Sequence, residues 1–355
     1  MIRRAGVLTL LTLCSLPAPA VADVRIGVFG LFHARELVAR SADGSGLTVR
    51  TDRETCALRG RDAARVSDIG GSMQVDCAGR AFQGRSVRIA SPIGGVAAIE
   101  LSIPGKIARK FHGHVDVTLA GTELVPVVSM DLETAVASVV AAEQLERMPL
   151  EALKAQAVAS RSYFVAARGR HRGFDFCDTT HCQFLREPPG PDHPASRAAK
   201  ETAGLVLAFR GAPIVALYSA SCGGRTRSLV DAGLRATDGY PFFSVECAYC
   251  VRHAKEWDRR LPWDAAARQL DASRSEAARL AVDRRNGWSA VPGNNFEASA
   301  ERDALVLHGR GAGHGVGLCQ AGAAGIAAEI RATFAEILNH YYPGTTLTGM
   351  HPNER

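Results

Sequence analysis

The hydrophobic period of this chain changes near residue 130, and that change decides which folds are open to it. Before it, residues 24 to 125 carry short alternating runs such as Val87-Arg88-Ile89 and Val115-Asp116-Val117-Thr118-Leu119, broken by turn residues. A period of two puts one face of a strand in a core and the other in water, so this segment reads as β-rich. From Asp131 the spacing is helical: Leu132, Val136, Val139 and Val140 share one stripe, which predicts a helix over Asp131 to Glu146. Pro149 opens an alanine-rich stretch that predicts a second helix through Arg168, since proline suits a first turn and alanine is the best helix former. Leu205 to Leu217 reads as a strand pair turning at Arg210-Gly211, and Ile326 to Tyr342 reads as a helix ending at Pro343-Gly344. No regular βαβ alternation is visible, so the expected fold class is α+β: a β-rich N-terminal segment followed by a mixed helix/strand domain.

The first residues have a different character. Met1-Ile2-Arg3-Arg4 is followed by an apolar run to Leu16 and a small-residue site at Ala20-Val21-Ala22. That order is the pattern of a secretory signal peptide, and the apolar run is too short for a membrane span. The expectation is an exported protein with no transmembrane segment, working in the periplasm or cell-wall space. Cleavage after residue 22 removes Arg3 and Arg4 and no acid, lowering the formal charge from +6 to +4. A mildly basic surface suits an anionic wall and does not call for nucleic acid. The expected organisation is a signal peptide over 1–22, a β-rich region over 23–125, a catalytic domain over 126–345 and a tail over 346–355.

One step along the first helix's stripe from Val136, Val139 and Val140 stands Glu143, whereas Glu133 and Glu146 fall off the stripe and read as solvated. A carboxyl beside apolar neighbours resists ionisation, which raises its pKa toward the range of a general acid at neutral pH. The bland alternative is that Glu143 bends to water or pairs with an arginine such as Arg161 on the next helix.

Eight of the nine cysteines lie beyond residue 22. Cys56 and Cys77 have no histidine nearby, so a local disulfide is their expected use. His171, Cys177, His181 and Cys182 offer two nitrogens and two sulfurs within twelve residues, a set that suits tetrahedral zinc. A Cys177–Cys182 disulfide satisfies the same spacing. With four protein ligands a zinc there would be structural, not catalytic. Cys222, Cys247 and Cys250 form a further group in which one member is expected to bond another, and Cys319 reads as a small buried residue or a disulfide partner. Glycines alternate from Gly309 to Gly317 around His314, without the spacing of a nucleotide loop, and admit close approach of backbone to a sugar or an adjacent strand. His314 then either meets substrate or orients Glu143, or it is a histidine satisfied within the turn. Ser221 and Thr226 flank a similar pair, Gly223-Gly224.

Leu132 through Glu143, followed by Pro149-Leu150-Glu151-Ala152-Leu153-Lys154-Ala155-Gln156-Ala157-Val158-Ala159-Ser160-Arg161-Ser162-Tyr163, closely resembles the core of the SpoIID/LytB family. The likeness continues in Cys177 to Gln183, Ser219 to Thr226, Gly313 to Gln320 and Tyr341-Tyr342-Pro343-Gly344. It implies a lytic transglycosylase acting on peptidoglycan glycan strands, sporulation-like, with Glu143 as catalytic acid and base, or alternatively a non-catalytic wall-binding module that enhances a wall amidase. It also implies a zinc at His171, Cys177, His181 and Cys182. Arg161, Ser221, Gly223, Gly224, Thr226, His314 and Gln320 are the expected substrate contacts. The sequence departs from the usual family spelling just after the acid, at Gln144-Leu145-Glu146-Arg147-Met148.

Overall fold

The computed structural model describes residues 23–234 and 239–350. The expected signal peptide, residues 1–22, lies outside the described residues. The mixed α+β class is observed, with helices and a large curled sheet.

The alternating segment folds into a twelve-stranded sheet whose main path starts at the short strand Phe176–Cys177. It continues through Val24–Gly27, Glu123–Met130, Ile107–Ala120, Ala97–Ile103, Glu36–Ser41, Ala63–Ile69, Ser72–Cys77 and Arg80–Gly84. Three strands, Leu47–Arg50, Thr55–Leu58 and Ser86–Ala90, pair off this path. The fourteen-residue strand Ile107–Ala120 serves both halves, pairing with Ala97–Ile103 up to Gly113 and with Glu123–Met130 from His114. Its alternating inward residues Phe111, Val115 and Val117 are fully buried, as a period of two requires. The expected domain boundary at residue 125 falls inside the strand Glu123–Met130. Cys56 and Cys77 form a disulfide across this region.

Immediately after the sheet comes helix α1 (Leu132–Glu143), capped by Asp131, whose side chain accepts from the Thr134 N–H at 3.0 Å. It ends three residues before the predicted Glu146, because Gln144 turns to extended backbone. Helix α2 (Leu150–Ala166) is buried along most of its length. Leu153, Ala157, Tyr163 and Phe164 join the core under the sheet, while Ala152, Ala155, Val158 and Ala159 join a second core. Alanine allows neighbours to approach a helix closely on both sides, which explains the density of that residue. Helix α3 (Pro194–Glu201) packs against both α1 and α2.

Arg161 locks these three helices together. It is fully buried, its Nε donates to Glu133 at 2.8 Å, and Nη2 donates to the other Glu133 oxygen and to the Ala199 carbonyl. Nη1 donates to the Leu205 carbonyl at 3.1 Å. Two sequence expectations are corrected here. Glu133 is not simply solvated, and Arg161 pairs with it instead of facing a sugar or Glu143.

The strand pair turning at Arg210-Gly211 forms as Leu205–Phe209 and Ala212–Pro213. Thr346–Gly349, expected as tail, completes this small sheet by pairing with Leu205–Phe209. After a short helix α4 (Ala248–His253) comes a unit the sequence reading did not anticipate. Helices α5 (Ala265–Ser273) and α6 (Glu276–Asn286) and a three-stranded sheet of Glu256–Pro262, Ala304–Arg310 and Phe296–Ala300 close on a third core around Trp257, Leu270, Val282, Leu305 and Leu307. The predicted closing helix is two, α7 (Gln320–Glu329) and α8 (Phe334–Tyr341). They separate because Thr333 and Glu336 form a capping box that starts α8 afresh. Among the described residues, no helix is long and apolar enough to cross a membrane.

Two stability outcomes are expected. Removing one partner of a buried ion pair costs about 3–5 kcal/mol, so Arg161→Ala should lower the unfolding free energy measured by denaturant titration by that order, and Arg161→Ala combined with Glu133→Ala should cost less than the two single changes added. Additive losses in that cycle would show that the pair is not coupled. The double change Cys56→Ala/Cys77→Ala opens a loop of sequence separation 21 and should remove about 3 kcal/mol; an unchanged unfolding midpoint would show that the link does not constrain the unfolded chain.

Candidate functional site

Glu143 ends α1, and the apolar stripe behind it explains its placement. Val136, Val139 and Val140 are fully buried, so the helix is held with the following turn against the core and Glu143 is carried to the place where three segments meet. Its carboxyl Oε1 accepts the Phe184 N–H at 2.9 Å. Its main-chain carbonyl accepts from the Gln320 side chain, also at 2.9 Å. The carbonyls of a last helical turn lack partners within the helix, and Gln320 supplies one.

Burial raises the Glu143 pKa, and the single Phe184 N–H opposes that shift. The negative end of the α1 dipole acts in the same direction as burial. The carboxyl therefore stays protonated to higher pH than an exposed glutamate does, and once ionised it accepts a proton readily.

Phe184 is delivered by the loop that carries the predicted metal ligands. His171 Nε2 lies 3.2 Å from Cys182 Sγ, and His181 Nδ1 lies 3.7 Å from Cys177 Sγ and 3.6 Å from Cys182 Sγ. All four ligand atoms fall within 4.8 Å of one another, and both thiols are free. Two nitrogens and two sulfurs converging in this way form a group able to hold a metal ion. The loop is anchored beyond the cluster as well: buried Asp178 accepts from Arg109 at 2.9 Å and from the Phe29 N–H at 3.3 Å.

Tyr218 is also close enough to feel the Glu143 charge; sequence reasoning did not single it out although it opens the Tyr218-Ser219-Ala220-Ser221-Cys222 run. Burial raises its pKa first, and the nearby Glu143 charge adds to the shift. Its hydroxyl donates to Gln183 Oε1 at 3.0 Å, and Gln183 Nε2 donates to the Ser160 carbonyl at 3.3 Å. This chain ties the acid's surroundings to α2.

The other expected contacts separate into distinct roles. His314 Nδ1 accepts the Val316 N–H at 3.0 Å, and its ring also bonds the Tyr218 backbone. Burial lowers its pKa, so it is neutral near pH 7, and its ring is satisfied by the backbone of its own turn and of Tyr218. Buried Thr226 pairs with Val245, its Oγ1 accepting that N–H at 2.8 Å. Gly223 and Gly311 have positive φ and pack so tightly that a Cβ on either would overlap the other segment's backbone. The glycines thus serve an adjacent strand: Ser221 and Ala312 exchange backbone hydrogen bonds of 3.0 and 2.8 Å. Gly224, also buried, accepts the Cys247 N–H at its carbonyl. Ser221 keeps partial exposure. Gln320 is buried and holds Glu143 by its backbone. Cys319, expected as a small buried residue or a disulfide partner, joins Cys222, Cys247 and Cys250 in one buried group.

Residues 120–209 match a family model described as SpoIID, Stage II sporulation protein. An uncharacterized protein of Brachyspira hyodysenteriae (strain ATCC 49526 / WA1) is 28% identical over 255 residues, covering 63% of this chain and 68% of its own. Stage II sporulation protein D of Bacillus subtilis (strain 168) is 25% identical over 270 residues, covering 62% and 75%. The matched segment contains α1 with Glu143, the buried helix α2 and the His/Cys loop, so it is this part of the chain that is similar to the SpoIID family.

Proposed function

We propose that this protein is an exported peptidoglycan lytic transglycosylase in which Glu143 is the single acid and base. One observation carries the reading: a carboxyl at the end of α1 whose pKa is raised by burial and whose one oxygen is fixed by the Phe184 N–H. The likeness of residues 120–209 to the SpoIID family supports a cell-wall substrate, and the Bacillus relative's name links that relative to sporulation.

The chemistry needs only this one group. Protonated Glu143 gives its proton to the glycosidic oxygen as the bond to the muramic carbon C1 breaks. The resulting carboxylate then takes the proton of the muramic 6-hydroxyl as that oxygen bonds to C1, leaving a 1,6-anhydro end and a carboxyl restored to its starting state. No water nucleophile enters, so the second carboxylate of an ordinary glycosidase is not required. Ser221, half-buried beside the start of α7, is the expected contact best placed to meet a sugar. Tyr218, His314 and Gln320 position the acid's surroundings. Zinc, when bound, would be held by His171, Cys177, His181 and Cys182 and would close the loop that presents Phe184, with no ligand position left for substrate.

Glycan strands, intact and stripped of stem peptides, can be incubated with wild type and Glu143→Gln and their ends identified by mass spectrometry. Wild type should release 1,6-anhydro-muramic ends, and the variant should lose at least about 100-fold in rate. If both proteins sediment with the wall and neither makes anhydro ends, the chain is a wall-binding module, and stimulation of an added amidase becomes its assay.

The pH dependence has a definite sign. The acid must be protonated, so kcat/KM should fall as pH rises through the raised Glu143 pKa, with that limb lying above the roughly 4.3 of a free glutamate. Stability follows the same linkage: the folded state loses stability as pH rises through this pKa, because ionising a buried carboxyl is unfavourable. Glu143→Gln should therefore have a denaturant midpoint at or above wild type at neutral pH, with the gap closing on acidification. A variant less stable by the same margin at every pH would argue against a desolvated carboxyl.

A further inference from the structure

We propose that Cys222, Cys247, Cys250 and Cys319 form a second metal site, which takes a single tetrahedral zinc ion through four sulfurs. It is separate from the His/Cys loop and independent of the catalytic reading.

The four cysteines come from three distant parts of the chain: the loop after the strand Tyr218–Ser219, the Cys247-Ala248-Tyr249-Cys250 start of α4, and the residue before α7. All four are buried, and their sulfurs lie within 4.8 Å of one another. Around a zinc with bonds of about 2.3 Å, the sulfurs of a regular tetrahedron stand about 3.8 Å apart. The Cys250 and Cys319 sulfurs are 3.4 Å apart, close to that spacing and well beyond a disulfide bond. All four thiols are free, although Cys56 and Cys77 in the same chain are bonded to each other. Four sulfurs drawn to one centre, and not to two separate pairs, is an arrangement suited to a mononuclear ion. An all-sulfur donor set selects a soft or borderline metal.

Polar groups lie around the sulfurs. Cys319 Sγ receives two backbone N–H groups, from Cys222 and Gly322, each at 3.3 Å. The Tyr341 hydroxyl lies 3.3 Å from Cys247 Sγ, and the Ser221 hydroxyl lies 3.6 Å from Cys250 Sγ. Such outer partners orient the ligands of a metal site and offset their charge. Gly322 leaves room for this packing, since a Cβ there would overlap both the Tyr341 hydroxyl and the Cys247 sulfur. With every ligand position filled by protein, the ion would be structural. Its effect reaches the acid through one residue: Cys319 precedes Gln320, whose side chain holds the Glu143 carbonyl.

The test uses wild-type protein isolated with zinc in the medium and without chelator or reductant. Zinc per chain is measured by mass spectrometry of the metal, and the mean number of sulfurs per zinc by X-ray absorption at the zinc edge. The proposal expects four sulfurs per zinc if this site alone is loaded, and a mean of three if the two-sulfur His/Cys site is loaded too. Cys250→Ser should then lower both the zinc content and the mean sulfur count. Zinc with a mean of two sulfurs or fewer, or zinc-free protein whether its four cysteines are paired or free, would overturn the proposal. Because the decisive readout is made on wild type, a variant that fails to fold does not remove the test.

Discussion

Helix α2 is buried on nearly every side, and the rest of the molecule is arranged around satisfying it. A helix between two cores must offer small side chains outward and settle any polar group it carries. Alanine meets the first demand, and Arg161 poses the hardest case of the second. Its guanidinium is fully buried, yet it is bonded to Glu133, Ala199 and Leu205, which draws α1, α3 and the strand Leu205–Phe209 onto α2. A buried charge is tolerated when it is paired and its donors are engaged. The pairing fixes how α1 lies against α2, and so fixes where α1 ends and where Glu143 stands. Gln156 and Ser160, one turn apart on α2, retain buried polar side-chain atoms with no protein partner. The polar seam between helix and site is thus less completely satisfied than the arginine.

Burial and hydrogen bonding act on Glu143 in opposite directions, and their balance sets its chemistry. A carboxylate accepting several N–H bonds would be held ionised and would make a poor acid. Here one N–H reaches the carboxyl, while Gln320 spends its amide on the backbone carbonyl instead. Gln320 therefore fixes the position of the group without stabilising its charged form. Tyr218 adds a neutral, buried phenol whose hydroxyl is turned toward Gln183. The outcome is a positioned carboxyl with its affinity for protons kept high.

The parts of this structure legible in the sequence are those governed by local periodicity or by close spacing. The period change near residue 130, the stripe leading to Glu143, the alanine-rich helix and the His/Cys loop all depend on residues a few positions apart. What escaped depends on distant partners. Nothing in the spacing says whether Arg161 meets Glu133 or Glu143, since both acids lie on the same preceding helix. Cys319 sits 69 residues from Cys250, and no local pattern marks it as that group's fourth member. Helices α5 and α6 were missed for another reason: each buries only two apolar side chains, Ala267 and Leu270 in one and Ala278 and Val282 in the other, amid many charges. Their cap residues Asp264 and Ser275 were visible but carried no stripe to confirm them. The break between α7 and α8 was legible in Thr333-Phe334-Ala335-Glu336, but the apolar run across it concealed the restart.

The acid is held at two points, and both holds come from segments that leave a four-ligand cluster. Phe184, which binds the carboxyl, follows Cys182 by two residues; Gln320, which binds the carbonyl, follows Cys319 directly. Phe184 stands in a loop and Gln320 is the first residue of α7, and a loop or a helix start held only by backbone hydrogen bonds would let the carboxyl drift. A position off by about 1 Å can cost a catalytic group about a hundredfold. Fixing a short segment with metal ligands would limit that drift. On the proposed assignments, the two clusters would act on rate through geometry alone, from opposite ends of the same residue, and each would be separable from the proton chemistry that Glu143 performs.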